Sequence, residues 1–304
     1  MKKVILVSLV VVVTAFGGTT KPISKVSTSS KSFGKMGKHK VSFEFHGGTK
    51  IFFPKDISKN KPTPIVFFIP GYSMVKSDNY KTIINFIASH GYTVIYAPDK
   101  KILNKADWFV NLVSRAAKEK GVSPYIDTSR IGVVGHSVGG GSTFYVLDKL
   151  SKNEGWGDNG KFIFALDPYF PYGMSEKDLQ NLPQDTNIVV QKYGHRRSDP
   201  RIALTTYYSL DSIADNKKDY QVYSDVDHSY PTANKSVTEL KYTLEPLDAL
   251  MSYTFEGNMD ARDVALEIGS DDPIGDNIEL IKSRESYKYK CNSVYGNRFC
   301  KILN

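Results

Sequence analysis

The stretch SRIGVVGHSVGGGST, Ser129 to Thr143, constrains this chain more than any other. Ile131, Val133 and Val134 are strand-forming residues in a run suited to a sheet interior, and Ser142 and Thr143 fall where a helix would be under way. Between them lies Gly135-His136-Ser137-Val138-Gly139. A small polar residue thus closes a buried strand, with no Cβ two positions before or after it. That pattern, G-x-S-x-G between strand and helix, requires a turn so tight that the serine backbone is strained and its hydroxyl stands out from the sheet edge. Side chains at Gly135 and Gly139 would collide with the neighbouring strand and helix, so both positions favour glycine. The helix that follows starts at the serine, and its N-terminal dipole favours an anion there.

The rest of the chain supplies the sheet that such a turn needs. VSFEF and KIFFP read as two short antiparallel strands from Val41 onward. PIVFFIP, TVIYAP, IGVVGH, KFIFALDP, NIVVQKYG and DYQVYS are apolar segments of the kind buried on both faces of a parallel sheet. Helical patterns separate them. NYKTIINFIASHG aligns Ile83, Ile84 and Ile87 and stops at Gly91, and ADWFVNLVSRAAKEKG sets Trp108, Leu112, Val113 and Ala116 at helical spacing. Such alternation predicts an α/β fold, a mostly parallel, doubly wound sheet with helices on both faces. Beyond residue 232, SVTELKYTLEPLDALMSYTF carries a Leu/Met stripe and predicts a helix kinked at Pro246.

The ends read differently. Lys2 and Lys3 precede the apolar run VILVSLVVVVTAF, and Ala15-Phe16-Gly17 provides small residues for cleavage. Residues 1–17 are therefore expected to be an export signal, shorter than a membrane span. Residues 18–40 are expected to form a flexible basic linker, 41–260 the catalytic-type domain, and 261–304 a C-terminal tail. The net charge of +8 is concentrated at the start. Residues 1–40 hold eight lysines and no acid, and the remainder balances 32 basic against 32 acidic residues. A neutral body without a basic stripe excludes a nucleic-acid partner on electrostatic grounds. Cys291 and Cys300, in CNSVYGNRFC, are expected to pair as a disulfide in an exported chain. Asp271, Asp272 and Asp276 lack the spacing of a calcium loop, so no metal site is expected.

A serine at such a turn needs a base and an acid, in the chain order Ser, Asp, His. Of six histidines, His39 and His46 precede the parallel sheet, His90 ends a helix, His136 lies inside the turn and His195 follows the seventh strand. His228, in DYQVYSDVDHSYPT, stands after the last strand and is the expected base. Two acids compete. Asp199, in YGHRRSDPRIAL, occupies the common place after the seventh strand and is preferred; Asp167, in FALDPYF, sits directly at the end of the sixth and is the alternate. Two backbone N–H groups are needed for an oxyanion, and Val138 and Tyr72 are the expected donors, with Gly71 letting the backbone approach.

These residues resemble the α/β-hydrolase superfamily over roughly Lys50 to Thr232. IDTSRIGVVGHSVGGGST and IVFFIPGYSM are similar to the nucleophile and oxyanion segments of cutinase-like polyester hydrolases and dienelactone-hydrolase-like esterases. ALDPYFPYG is also similar to a segment of platelet-activating-factor acetylhydrolases and chlorophyllases, whose acid follows the sixth strand. The resemblance implies a serine esterase that needs no cofactor and acts on small or polymeric esters; the N-terminal signal implies that it is secreted or periplasmic and meets a membrane only during export. The resemblance also implies a substrate clamp at Tyr72 and Tyr169, with Tyr169 standing where polyester hydrolases carry tryptophan, and His136 is placed with them as substrate-facing. A lidded lipase would need a long insertion between the sixth strand and Asp199, which is absent. A catalytically silent module for binding or adhesion would keep the sheet but has little reason to retain Ser, Asp and His in order.

Overall fold

The computed structural model describes residues 32–98, 106–194, 200–223, 225–232 and 235–266. The expected signal, most of the expected linker, and Cys291 and Cys300 lie outside the described residues. Among the described residues, eight strands form one sheet: β1 (Val41–His46), β2 (Thr49–Pro54), β3 (Thr63–Ile69), β4 (Thr93–Tyr96), β5 (Ile126–His136), β6 (Lys161–Leu166), β7 (Thr186–Tyr193) and β8 (Lys218–Tyr223). Their order is β1-β2-β4-β3-β5-β6-β7-β8. β1 and β2 pair antiparallel, β2 joins β4 antiparallel, and every later pairing is parallel.

Among the described residues, seven helices flank the sheet: α1 (Lys81–Ser89), α2 (Ala106–Lys118), α3 (Val138–Glu154), α4 (Glu176–Gln180), α5 (Pro200–Tyr208), α6 (Lys241–Glu256) and α7 (Met259–Ala265). The strand period of two sorts side chains to opposite faces. Ile65, Phe67, Ile131, Val133, Ile163 and Ile188 pack under α2, α3 and α5. Val66, Phe68, Val134, Phe164 and Val189 pack under α1, α6 and α7. The central strands therefore present apolar residues to both faces of the sheet, as two-sided burial requires.

Three expectations are corrected. In α2 the buried stripe is Phe109, Leu112, Val113 and Ala116, while Trp108 is 39% exposed; at 100° per residue Phe109, not Trp108, faces the sheet with the other three. Residues 32–40 are tied down rather than free: Gly34 N donates to Asp248 Oδ2, Gly37 N to Ser89 Oγ and His39 N to Ser89 O. The domain limit at residue 260 cuts α7, whose Ala261 and Ala265 are fully buried against the α6 side of the core. Small residues four apart give a short helix a close-packing face, a signal shared with many exposed helices.

Helix α6 begins at Lys241 and runs through Pro246. Proline lacks the N–H that would bond Tyr242 O one turn earlier. Gln191 Nε2, from β7, donates to that carbonyl at 2.7 Å. The proline is tolerated because a strand side chain supplies the missing donor. Among the described residues no helix is long and apolar enough to cross a membrane.

Candidate active site

Strand β5 ends at His136, α3 starts at Val138, and Ser137 alone makes the turn between them with φ 59° and ψ −120°. A Cβ on Gly135 would lie 2.4 Å from Gly139 O, and one on Gly139 would lie 2.3 Å from Ile69 O. Both glycines are steric requirements of strand–helix contact, as the sequence implied. Three non-glycine residues have positive φ among the described residues: Ser73, Ser137 and Asp167. They fall after β3, β5 and β6, at the C-terminal edge of the sheet. Backbone strain of order 1–3 kcal/mol per residue is held where the surroundings over-determine it.

His228 links two of those loops. Its Nε2 is 2.9 Å from Ser137 Oγ and its Nδ1 is 2.5 Å from Asp167 Oδ2. The acid contact is thus made by the alternate, Asp167. The preferred Asp199 lies outside the described residues, as does His195, and the single Nδ1 position is already occupied. Sequence order could not decide between them, because both follow strands that end at the same edge of the sheet.

Asp167 is fully buried. Its N–H donates to Gln191 O at 2.6 Å, and its Oδ1 accepts from Lys192 Nζ at 2.8 Å. Burial pushes its carboxyl up, but the His228 hydrogen bond and the Lys192 charge outweigh burial and hold it below the ordinary carboxylate value of 3.8. Lys192, 2% exposed, also donates to Tyr193 O at 2.7 Å and Gly194 O at 2.9 Å. The sequence reading missed it. Its signal was a lysine inside NIVVQKYG, an otherwise apolar run where a charge must be paired.

Lys192→Met is expected to destabilise the fold by about 3–5 kcal/mol, since it strips one partner from a buried ion pair. Urea unfolding followed by circular dichroism reads that loss. The sign with pH follows from the depressed carboxyl. Its stabilising contribution is present above 3.8 and is lost as pH falls through its lower folded value. Without the Lys192 charge that folded value rises, so acid unfolding of the variant starts at higher pH than in the parent.

His136 was expected to face substrate, and the structure corrects this. It is 3% exposed and both ring nitrogens are engaged, Nδ1 with Tyr80 Oη and Nε2 with His228 O, each at 2.8 Å. Burial, and then the neighbouring His228 charge, push it down to about 3. Tyr72 is 64% exposed beside Gly71. Tyr169 is half-buried, its N–H donates to Ser137 O at 2.9 Å, and its ring stands edge-on to His228 at 6.1 Å. Val138 opens α3, so its N–H is among the first four of the helix, which find no partner inside it.

An antiparallel start, a parallel remainder and a serine turn at the C-terminal end of the central strand define an α/β hydrolase. More narrowly, the chain belongs to the PET hydrolase-like family, whose PETase profile matches residues 18–247. It is similar to Cutinase 2 of Thermobifida cellulosilytica, 36% identical over 110 residues that make up 33% of this chain and 38% of that protein. Cutinase cut1 of Thermobifida fusca is also 36% identical over 110 residues, 33% of this chain and 31% of that protein. The chain spans about a third of the length of the curated relatives it matches.

Proposed function

We propose that this protein is an exported serine esterase that cleaves carboxylic esters, polyesters among them, by acyl transfer. The observation that carries this reading is the line Ser137 Oγ, His228 Nε2, His228 Nδ1, Asp167 Oδ2. His228 takes the Ser137 proton, and the serine oxygen bonds to the ester carbonyl carbon. The N–H groups of Tyr72 and Val138 hold the negative oxygen, and Asp167 steadies the imidazolium. His228 then returns the proton to the leaving alcohol, and water repeats the sequence to release the acid. The family match and two relatives named cutinase favour polyester as the substrate class. Tyr72 and Tyr169 are the aromatic surfaces available to an extended chain.

One observation favours a second reading. An acid directly after β6 resembles the arrangement of platelet-activating-factor acetylhydrolases, which would suit a short acyl group on a lipid-like alcohol. A polyester film, a series of p-nitrophenyl esters and an acetylated phospholipid, offered to the same preparation, separate the two. The expected result is soluble product from the film, with labelling of Ser137 by a fluorophosphonate. Turnover confined to the acetylated phospholipid would favour the second reading, and no labelling with no turnover would refute both.

A further inference from the structure

A buried hydrogen-bond chain beside the triad has a direction fixed by chemistry. Gly71 N donates to Tyr80 Oη at 2.9 Å, since a backbone N–H can only donate. His136 Nε2 lies 2.8 Å from His228 O, a carbonyl that can only accept, so Nε2 carries the hydrogen. The ring is uncharged, its two nitrogens being one donor and one acceptor, so Nδ1 must accept and Tyr80 O–H must donate to it. The order is Gly71 N–H to Tyr80, Tyr80 O–H to His136 Nδ1, and His136 Nε2–H to His228 O.

This chain touches each loop that supplies a reacting group. Gly71 precedes Tyr72, His136 precedes Ser137, and His228 O belongs to the base itself. The packing leaves no slack: a Cβ on Gly71 would meet Tyr80 Oη at 3.1 Å, His136 Nδ1 at 3.2 Å and Ser137 Cβ at 3.5 Å. The His136 and His228 rings lie 4.6 Å apart, so a charge on His136 would oppose the imidazolium formed during turnover.

We infer that Tyr80 and His136 are positioning residues that fix the base loop and the oxyanion loop relative to the nucleophile through one directional hydrogen-bond chain. The inference rests on the esterase reading above for its effect on rate, but not for its geometry. His136 does for the backbone of the base what Asp167 does for its ring. The His228 carbonyl sets the His136 tautomer, and Tyr80 holds the peptide next to the Tyr72 donor.

The test compares Tyr80→Phe, His136→Phe and His136→Gln in the full chain, using a soluble p-nitrophenyl ester and amide and histidine NMR. A displaced catalytic loop commonly costs about 10²-fold in rate. His136→Phe is expected to lose about that much kcat with KM little changed, whereas His136→Gln, whose amide offers both an N–H and a carbonyl, recovers most of the loss. Equal rates for Phe and Gln would make His136 a space-filler and overturn the inference. Tyr80→Phe removes one oxygen, and is expected to speed exchange of the Gly71 amide by about tenfold or more, as opening of a buried hydrogen bond does. If His136→Phe does not fold, Tyr80→Phe decides. A parent enzyme without ester turnover would fail the esterase reading alone. The chain would still stand or fall on NMR, where hydrogen on His136 Nδ1, or a Gly71 amide unmoved by Tyr80→Phe, overturns it.

Discussion

Asp167→Asn is expected to lower kcat on a soluble ester by about 10⁴-fold while the protein stays folded. The direction follows from what surrounds the side chain. Lys192 Nζ only donates, so the new amide must turn its carbonyl toward Lys192 and its NH₂ toward His228. Nδ1 of His228 then has to accept, which puts the ring hydrogen on Nε2, facing Ser137. A nitrogen that already holds a hydrogen cannot take one from the serine. Asp199→Asn, in the same assay, is expected to turn over like the parent. The opposite pattern would return the acid's role to Asp199.

Ser137→Ala is expected to abolish hydrolysis of short p-nitrophenyl esters, a loss of about 10⁴-fold or more, without altering the circular dichroism spectrum. Only the Oγ is removed, and the turn keeps its glycines and its backbone bonds, including Ser137 N to Leu166 O at 2.9 Å. Alanine at φ 59° carries no more strain than the serine it replaces, and relieves none. A variant that hydrolysed ester at the parental rate would remove Ser137 from the chemistry.

Much of this arrangement was legible in the sequence because steric demands write themselves into residue type. Gly135 and Gly139 announce the turn, since each faces backbone at a distance no side chain tolerates. The apolar runs of β3 to β7 announce two-sided burial. The acid was harder. Asp167 and Asp199 both follow strands at the catalytic edge, and only the loop path decides which carboxylate reaches Nδ1. The clue that would have favoured Asp167 is Lys192, a charge in the next strand that needs a counter-charge at the same level. The roles of His136 and Tyr80 were not legible, because the two are 56 positions apart and meet only when the turn before α1 packs against the ends of β3 and β5.

Gln191 has a wider consequence. Its carbonyl seats the acid, while its amide serves Tyr242 in a helix on the far side of the chain's sequence and Gln221 in the next strand. Peeling α6 away would take the Tyr242 carbonyl from the buried Gln191 amide and loosen the residue beneath the carboxylate in the same motion. Helix α6 is therefore not a detachable cover, and inactivation on heating has no need to begin at the triad itself.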